Sequence, residues 1–381
     1  MLTNGSIKLG RVQIFRDNPD DIRKLHKNPT PNTGGIAIGL SFAMGATVMF
    51  ATFADIISSA FFGLLPFLII SASIIFITGI YDDTEGLTSG PKFATQILAG
   101  IIFLIGLDIH FVSQHIAFSE YSYVVRIPFY LICILWITAC SNTVNLVDGI
   151  DGLAGTLSIV ALLGISLIAM DWVVNGVLLL SLPLIAAVGG FLVFNRPPAK
   201  LFMGDTGSLF IGFMIGIMTI ILAIYARHWM YSLALVLFMG IPLMDTVFSI
   251  IRRLKLSINP FESDNNHIHH ILQRYFRGPG LAVLTLSTSA MLLAVIAILL
   301  TNTDNVPLFF GVYGVLFFLF VIIAVVYWAK LDKKSSLFLY QPDISETDEI
   351  SEPRHILRSV FRLTDEDDDS DKKIKKTGSR D

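Results

Sequence analysis

The chain has 381 residues, of which 54% are hydrophobic and only 15% charged, with mean hydropathy +0.69 and formal net charge -3. A soluble protein of this length carries about one quarter charged residues, so composition excludes a water-soluble globular domain. Runs such as 61–80 and 282–300 approach the ~20 apolar residues that cross a bilayer, and they lack the alternating ~10-residue pattern of a membrane barrel. The expectation is an all-α polytopic membrane protein.

Ten transmembrane spans are expected in chain order, at 35–54, 61–80, 93–112, 127–141, 153–170, 174–194, 208–226, 230–250, 280–300 and 307–329. The fourth is short and runs straight into a polar cluster, so a re-entrant loop is its alternative. No cleavable signal peptide is expected, because residues 1–33 have no suitable apolar core. Cys133 and Cys140 lie in apolar sequence and read as packing residues.

With ten spans, 25 of the 27 Lys and Arg residues fall in one set of loops, and only Arg126 and Arg227 in the other. The excess of basic residues on the cytoplasmic side then places both termini inside. Three regions result: a cytoplasmic N-terminal segment 1–34, a transmembrane catalytic domain 35–329 and a cytoplasmic tail 330–381. The tail carries the block Thr364 to Lys376, charged and without apolar partners, and is expected to be disordered. No nucleic-acid binding is expected from its cations.

All motif-like loops share that cytoplasmic side. Asp82 and Asp83 end the second span; adjacent acids terminate helices, and they also create a place for a cation or a base. The segment Asn142 to Leu153 holds Asn142, Asn145, Asp148 and Asp151 with glycines at 149 and 152. If residues 149–153 begin the fifth helix, Asp148 and Asp151 share a face at its positive end. Phe202 to Ser208 opens the seventh helix. Asp205 there is either its N-cap or a metal ligand, with Asn195, Arg196 and Lys200 close in sequence. Hard oxygen donors without cysteine favour Mg²⁺ or Mn²⁺. His267, His269 and His270 form a dense cluster that suits binding of an anion or of a transition metal.

Carboxylates, carboxamides, imidazoles and basic groups at one membrane surface suit phosphoryl chemistry on a metal-bound polyanion. A membrane transporter of polyprenol phosphate or another anion is the competing class.

The chain resembles the polyprenyl-phosphate N-acetylhexosamine-1-phosphate transferase family over about residues 23–275. The resemblance rests on Arg23 to Pro31 with Gly34-Gly35, Gly79 to Asp83, Asn142 to Gly155, Asn195 with Phe202 to Ser208, and Asn259-Pro260-Phe261 with Asp264 and His267 to His270. The last motif is more similar to the N-acetylglucosamine-1-phosphate branch than to the muramoyl-pentapeptide branch. The resemblance implies transfer of a sugar 1-phosphate from a UDP-N-acetylhexosamine to undecaprenyl phosphate, with release of UMP. It implies Asp82 or Asp83 as base, Asp205 on Mg²⁺, and Asp148, Asp151, Asn145 and Asn195 around nucleotide and metal. Lys27, Lys92 and Asn142 would bind substrate, and His267, His269 and His270 would hold the donor. A homodimer is compatible with this pattern. Two departures stand out. Family members carry a further span before the Arg23 region, where this chain has twenty-two mostly polar residues. Asn32-Thr33 and Asn265 occupy places where the sugar-transferase branch often has arginine.

Overall fold

The computed structural model describes residues 16–17, 30–112, 123–171, 174–225, 229–256, 267–276, 278–302 and 305–330. The expectations for Lys27, Asn265 and the 330–381 tail therefore fall outside the described residues, apart from Lys330 at the end of the last helix.

A two-residue antiparallel pairing joins β1 (Arg16–Asp17) to β2 (Thr30–Pro31). The helices follow as α1 (Gly34–Thr52), α2 (Ser59–Glu85), α3 (Ser89–Leu107), α4 (Tyr123–Val147), α5 (Leu153–Asp171) and α6 (Asn175–Asn195). Next come α7 (Gly204–Tyr225), α8 (Trp229–Val236), α9 (Gly240–Leu256), α10 (Ile268–Tyr275), α11 (Pro279–Thr301) and α12 (Val306–Lys330). Among the described residues ten stretches are long and apolar enough to cross a membrane, one for each expected span. The eighth, Ser232–Lys255, runs from α8 through a 3-10 turn at Leu237–Met239 into α9.

Helix α7 is the hub: 89% of its most apolar stretch is buried, against 6% for α12. It packs on α1, α2, α4, α5, α6 and α8. The approaches to α1 and α2 are close because glycines face them. A Cβ at Gly35 would collide with the backbone of Gly207, and one at Gly79 with the backbone of Thr206. Backbone-to-backbone contact of this kind is how membrane helices gain packing where the hydrophobic effect adds little. Polar links supplement it, as in Trp136 Nε1 donating to Thr219 Oγ1 at 2.8 Å between α4 and α7.

Three boundaries differ from the sequence reading. Helix α4 has 25 residues and crosses without re-entry, so Asn142 and Asn145 sit in its last turns rather than in a loop. Polar side chains are tolerated there because neighbouring helices satisfy them. Helix α2 likewise continues past Asp82 and Asp83 to Glu85, stopping at Gly86 with φ 73°. Helix α5 starts at Leu153, so residues 148–152 are a turn and the expected helical face for Asp148 and Asp151 does not form. Gly152, at φ 82°, imposes that turn.

The C-terminal ends of α2, α4 and α6 meet the N-terminal ends of α1, α3, α5 and α7 at one end of the bundle. Two hydrogen bonds fix the entry of α1 there, from Gly34 N to Phe202 O at 2.9 Å and from Gly35 N to Met203 O at 2.8 Å. At the opposite end, Asp108 pairs with Arg126 and accepts from the Tyr130 hydroxyl.

Candidate active site

Asp205 is the second residue of α7, and its two oxygens are differently engaged. Oδ2 accepts from Lys92 Nζ at 2.7 Å, and Oδ1 from Asn145 Nδ2 at 2.9 Å. Lys92 also pairs with Asp82 Oδ2, so one ammonium sits between two carboxylates from α2 and α7. Asp82 is nearly enclosed, its side chain 4% exposed, whereas Asp205 keeps 29% open. The second Asp82 oxygen accepts from Leu87 N at 2.6 Å. Asn145 completes the arrangement by donating to Ser208 Oγ at 2.9 Å.

Asp83 has a different environment from its neighbour. Oδ1 accepts from Asp205 N at 2.8 Å and from Asn32 Nδ2 at 3.0 Å. Oδ2 accepts from Thr206 N at 3.0 Å and Thr206 Oγ1 at 2.5 Å. A carboxylate on α2 thus caps the N-terminus of α7, satisfying amides the helix cannot satisfy itself. Gly204 makes the approach possible: it has φ 69°, and a Cβ there would stand 2.6 Å from Asp83 Oδ2. Of the two readings of Asp205, N-cap or metal ligand, the first is set aside, since Asp83 supplies the capping oxygens and leaves the Asp205 carboxylate to Lys92 and Asn145.

Asn142 and Asn195 spend their amides internally. Asn142 Nδ2 donates to Gln96 Oε1 at 2.6 Å and to Thr138 O at 2.8 Å. Asn195 is 3% exposed; its Oδ1 accepts from Gly152 N at 2.8 Å and its Nδ2 donates to Leu201 O at 2.9 Å. It ties the 148–152 turn to the segment leading into α7. Asp151 accepts from Ala199 N at 2.9 Å, so the two acids of the turn diverge in use. Burial first, and then the charges of Asp205, Asp83 and Asp151, hold the Asp148 carboxyl well above the usual carboxylate range.

The histidines lie on the far side of that turn. His269 and His270 both face Gly149, where a Cβ would meet His269 Nε2 at 2.7 Å and His270 Nε2 at 3.1 Å. Burial, reinforced by the neighbouring histidines and Arg274, pushes His270 down to about 4, so its ring is neutral at physiological pH. His267 and His269 are buried against Asp245 of α9, a residue the sequence reading passed over inside an apolar run. An acid within a span is itself a signal of function. Asp245, His267 and His269 bring ligand atoms within 4.8 Å of one another, close enough to hold a divalent metal ion. Gln96 was also missed, because it acts through Asn142, a partner distant in sequence.

Residues 65–223 match Glycosyl transferase family 4. That stretch contains Asp82, Asp83, Lys92, Asn145 and Asp205, and leaves Asp245 and the histidines outside. The chain is 34% identical to the probable undecaprenyl-phosphate N-acetylglucosaminyl 1-phosphate transferase of Bacillus subtilis (strain 168), over 78% of this chain and 79% of that protein. It is 28% identical to the undecaprenyl-phosphate alpha-N-acetylglucosaminyl 1-phosphate transferase of Escherichia coli (strain K12), over 76% and 78%. It is 34% identical to the phospho-N-acetylmuramoyl-pentapeptide-transferase of Staphylococcus carnosus (strain TM300), over 57% and 68%.

Proposed function

The chain belongs to the polyprenyl-phosphate sugar-1-phosphate transferases of Glycosyl transferase family 4, multi-pass proteins of the bacterial cytoplasmic membrane, and from that premise we propose its reaction. It transfers N-acetylglucosamine 1-phosphate from UDP-N-acetylglucosamine to undecaprenyl phosphate, releases UMP and so initiates a surface glycan. The observation that carries this reading is the Asp82–Lys92–Asp205 cluster, two carboxylates drawn round one cation at the bundle end where Asp83 caps α7. Choice of the N-acetylglucosamine donor is supported by the longer match to the relatives named for that sugar, against 57% of this chain for the muramoyl-pentapeptide relative. The distribution of Lys and Arg supports a cytoplasmic position for this end.

Asp205, the more open of the two carboxylates, offers only oxygen donors already arranged about a positive charge, and it would hold Mg²⁺ or Mn²⁺. When bound there, such an ion offsets charge on the donor diphosphate. Lys92, held between Asp82 and Asp205, would offset the negative charge that builds up on transfer beside these carboxylates. A phosphate oxygen of the lipid attacks the β-phosphorus of the donor, the bond to the α-phosphate breaks, and UMP departs. Asp82 receives the proton given up when the attacking phosphate is a monoanion. Asn145 and Asp83 hold Asp205 in place, Asp148 and Asp151 shape the turn beside the nucleotide, and His270 lines the donor side as a neutral imidazole.

The test uses purified protein in lipid with undecaprenyl phosphate and a panel of UDP-N-acetylglucosamine, UDP-N-acetylgalactosamine and UDP-N-acetylmuramoyl-pentapeptide. UMP release that depends on Mg²⁺, and is fastest with the first donor, is expected. Absence of turnover with every donor would refute the reaction.

A further inference from the structure

Asp245 lies within the eighth membrane span, 4% exposed, and belongs to none of the motifs that identify the site. Its two oxygens receive two different donors. Oδ1 accepts from Ile268 N, the first amide of α10, at 2.7 Å. Oδ2 meets His269 Nδ1 at 2.8 Å. His267 Nδ1 stands 3.4 Å from Oδ1, too far for a strong bond. Facing a carboxylate at 2.8 Å, Nδ1 of His269 carries a proton, which orients the ring, fixes the tautomer of its neutral form and turns Nε2 toward Gly149. That ring is 1% exposed and abuts Gly149, beside Asp148, with the His270 ring 4.3 Å away.

We propose that Asp245 is a positioning residue for the transfer reaction, acting through His269 to seat the histidine segment against the Asp148–Gly149 turn with one defined tautomer. The proposal rests on the reading that this turn and His270 line the donor site. A carboxylate is specified at 245 because it can accept from both Ile268 and His269. A carboxamide of the same shape satisfies one of them and turns an N–H toward the other. Carboxylate partners that orient functional histidines elsewhere contribute about 10- to 100-fold, and loss of the correct tautomer can cost more. The same three residues bring ligand atoms within 4.8 Å of one another and could hold a metal ion, an outcome the test separates from the hydrogen-bonded dyad.

Asp245→Asn, isosteric and so retaining the packing, tests the idea together with His269→Asn, whose amide replaces the Nδ1–H donor but not Nε2. Asp245→Asn should lower kcat by roughly 10- to 100-fold with less than about a threefold change in the donor KM. In the His269→Asn background the same change should have little further effect, because both substitutions remove one function. Nitrogen NMR of ¹⁵N-histidine-labelled protein should show one buried ring protonated on Nδ1 that loses this state in Asp245→Asn. This readout is independent of turnover, so it distinguishes failure of the proposal from failure of the assigned reaction. Unchanged kcat in Asp245→Asn, additive effects in the double variant, or an unaltered tautomer would each overturn the proposal. One equivalent of tightly bound zinc or manganese in the wild type, lost in Asp245→Asn, would overturn it in favour of a metal centre.

Discussion

Asp83 accepts two hydrogen bonds from Thr206 on a single oxygen, one from the backbone amide at 3.0 Å and one from the hydroxyl at 2.5 Å. A residue at the end of α2 thereby determines where α7 begins, and with it where Asp205 points. The adjacent acids therefore have separate tasks: Asp83 is consumed by α7, while Asp82 faces Lys92.

Replacing Asp83 with Asn should cut UMP release by about 100-fold or more, because a displaced Asp205 loses its reactive geometry. The amide would set N–H against the N–H groups of Asp205 and Thr206. Thr206→Val keeps the backbone bond and loses only the hydroxyl, so a milder loss, roughly tenfold, is expected. Equal losses in the two variants would contradict the capping role.

Lys92 occupies the position between Asp82 and Asp205. Lys92→Met should leave both carboxylates without their cation, raise the apparent affinity for Mg²⁺ and still lower kcat by about 100-fold or more, because charge stabilisation in transfer is lost. Steady-state rates across a Mg²⁺ titration give both quantities. A variant needing more Mg²⁺ while keeping wild-type kcat would show that Lys92 does not compete for this place.

Gly204→Ala should destabilise the protein and abolish transfer. The backbone conformation alone costs a side chain about 1–2 kcal/mol, and the added Cβ would meet Asp83 Oδ2 and Asn32 Oδ1, each at 2.6 Å. A lower melting temperature in detergent, together with loss of UMP release, is the expected pair of results. Ala at exposed Gly90, where a Cβ meets nothing, serves as the control.

Asp148 gives a pH dependence of definite sign. Its folded-state carboxyl is held well above the ordinary carboxylate range, chiefly by burial and then by Asp205, Asp83 and Asp151. The unfolded chain loses that proton near pH 4 while the folded chain keeps it, so this group's contribution to stability declines as pH rises from there toward the folded-state value. Asp148→Asn, unable to titrate, should flatten that slope in melting temperatures measured from pH 4 to 8. An unchanged slope would show that Asp148 is ionised in the folded protein.

Much of the architecture was legible in the residues themselves. An apolar run needs no partner to declare that it spans a membrane, and the separation of Lys and Arg between alternating loops needs no packing information. For the same reason all ten spans were placed in order, and Asp82, Asp83, Asn145 and Asp205, which the fold brings together, could be picked out as polar residues at span ends. Errors clustered where a polar residue remains helical: Asn145 and Asp83 read as loop residues, yet α4 and α2 carry them because Asp205, Ser208 and Thr206 provide partners. Asp245 was lost inside an apolar run, since its partner His269 lies 24 residues away.

The sequence by itself determined the membrane class and the span order, because local hydropathy and residue type encode them. Tertiary structure alone decided the division of labour: Asp82 on Lys92, Asp83 on the start of α7, Asn142 and Asn195 on neighbouring segments, Asp245 on His269. Two identical carboxylates side by side cannot reveal from their order which one caps a helix and which one faces a cation. That depends on the donors that distant helices bring within hydrogen-bond reach.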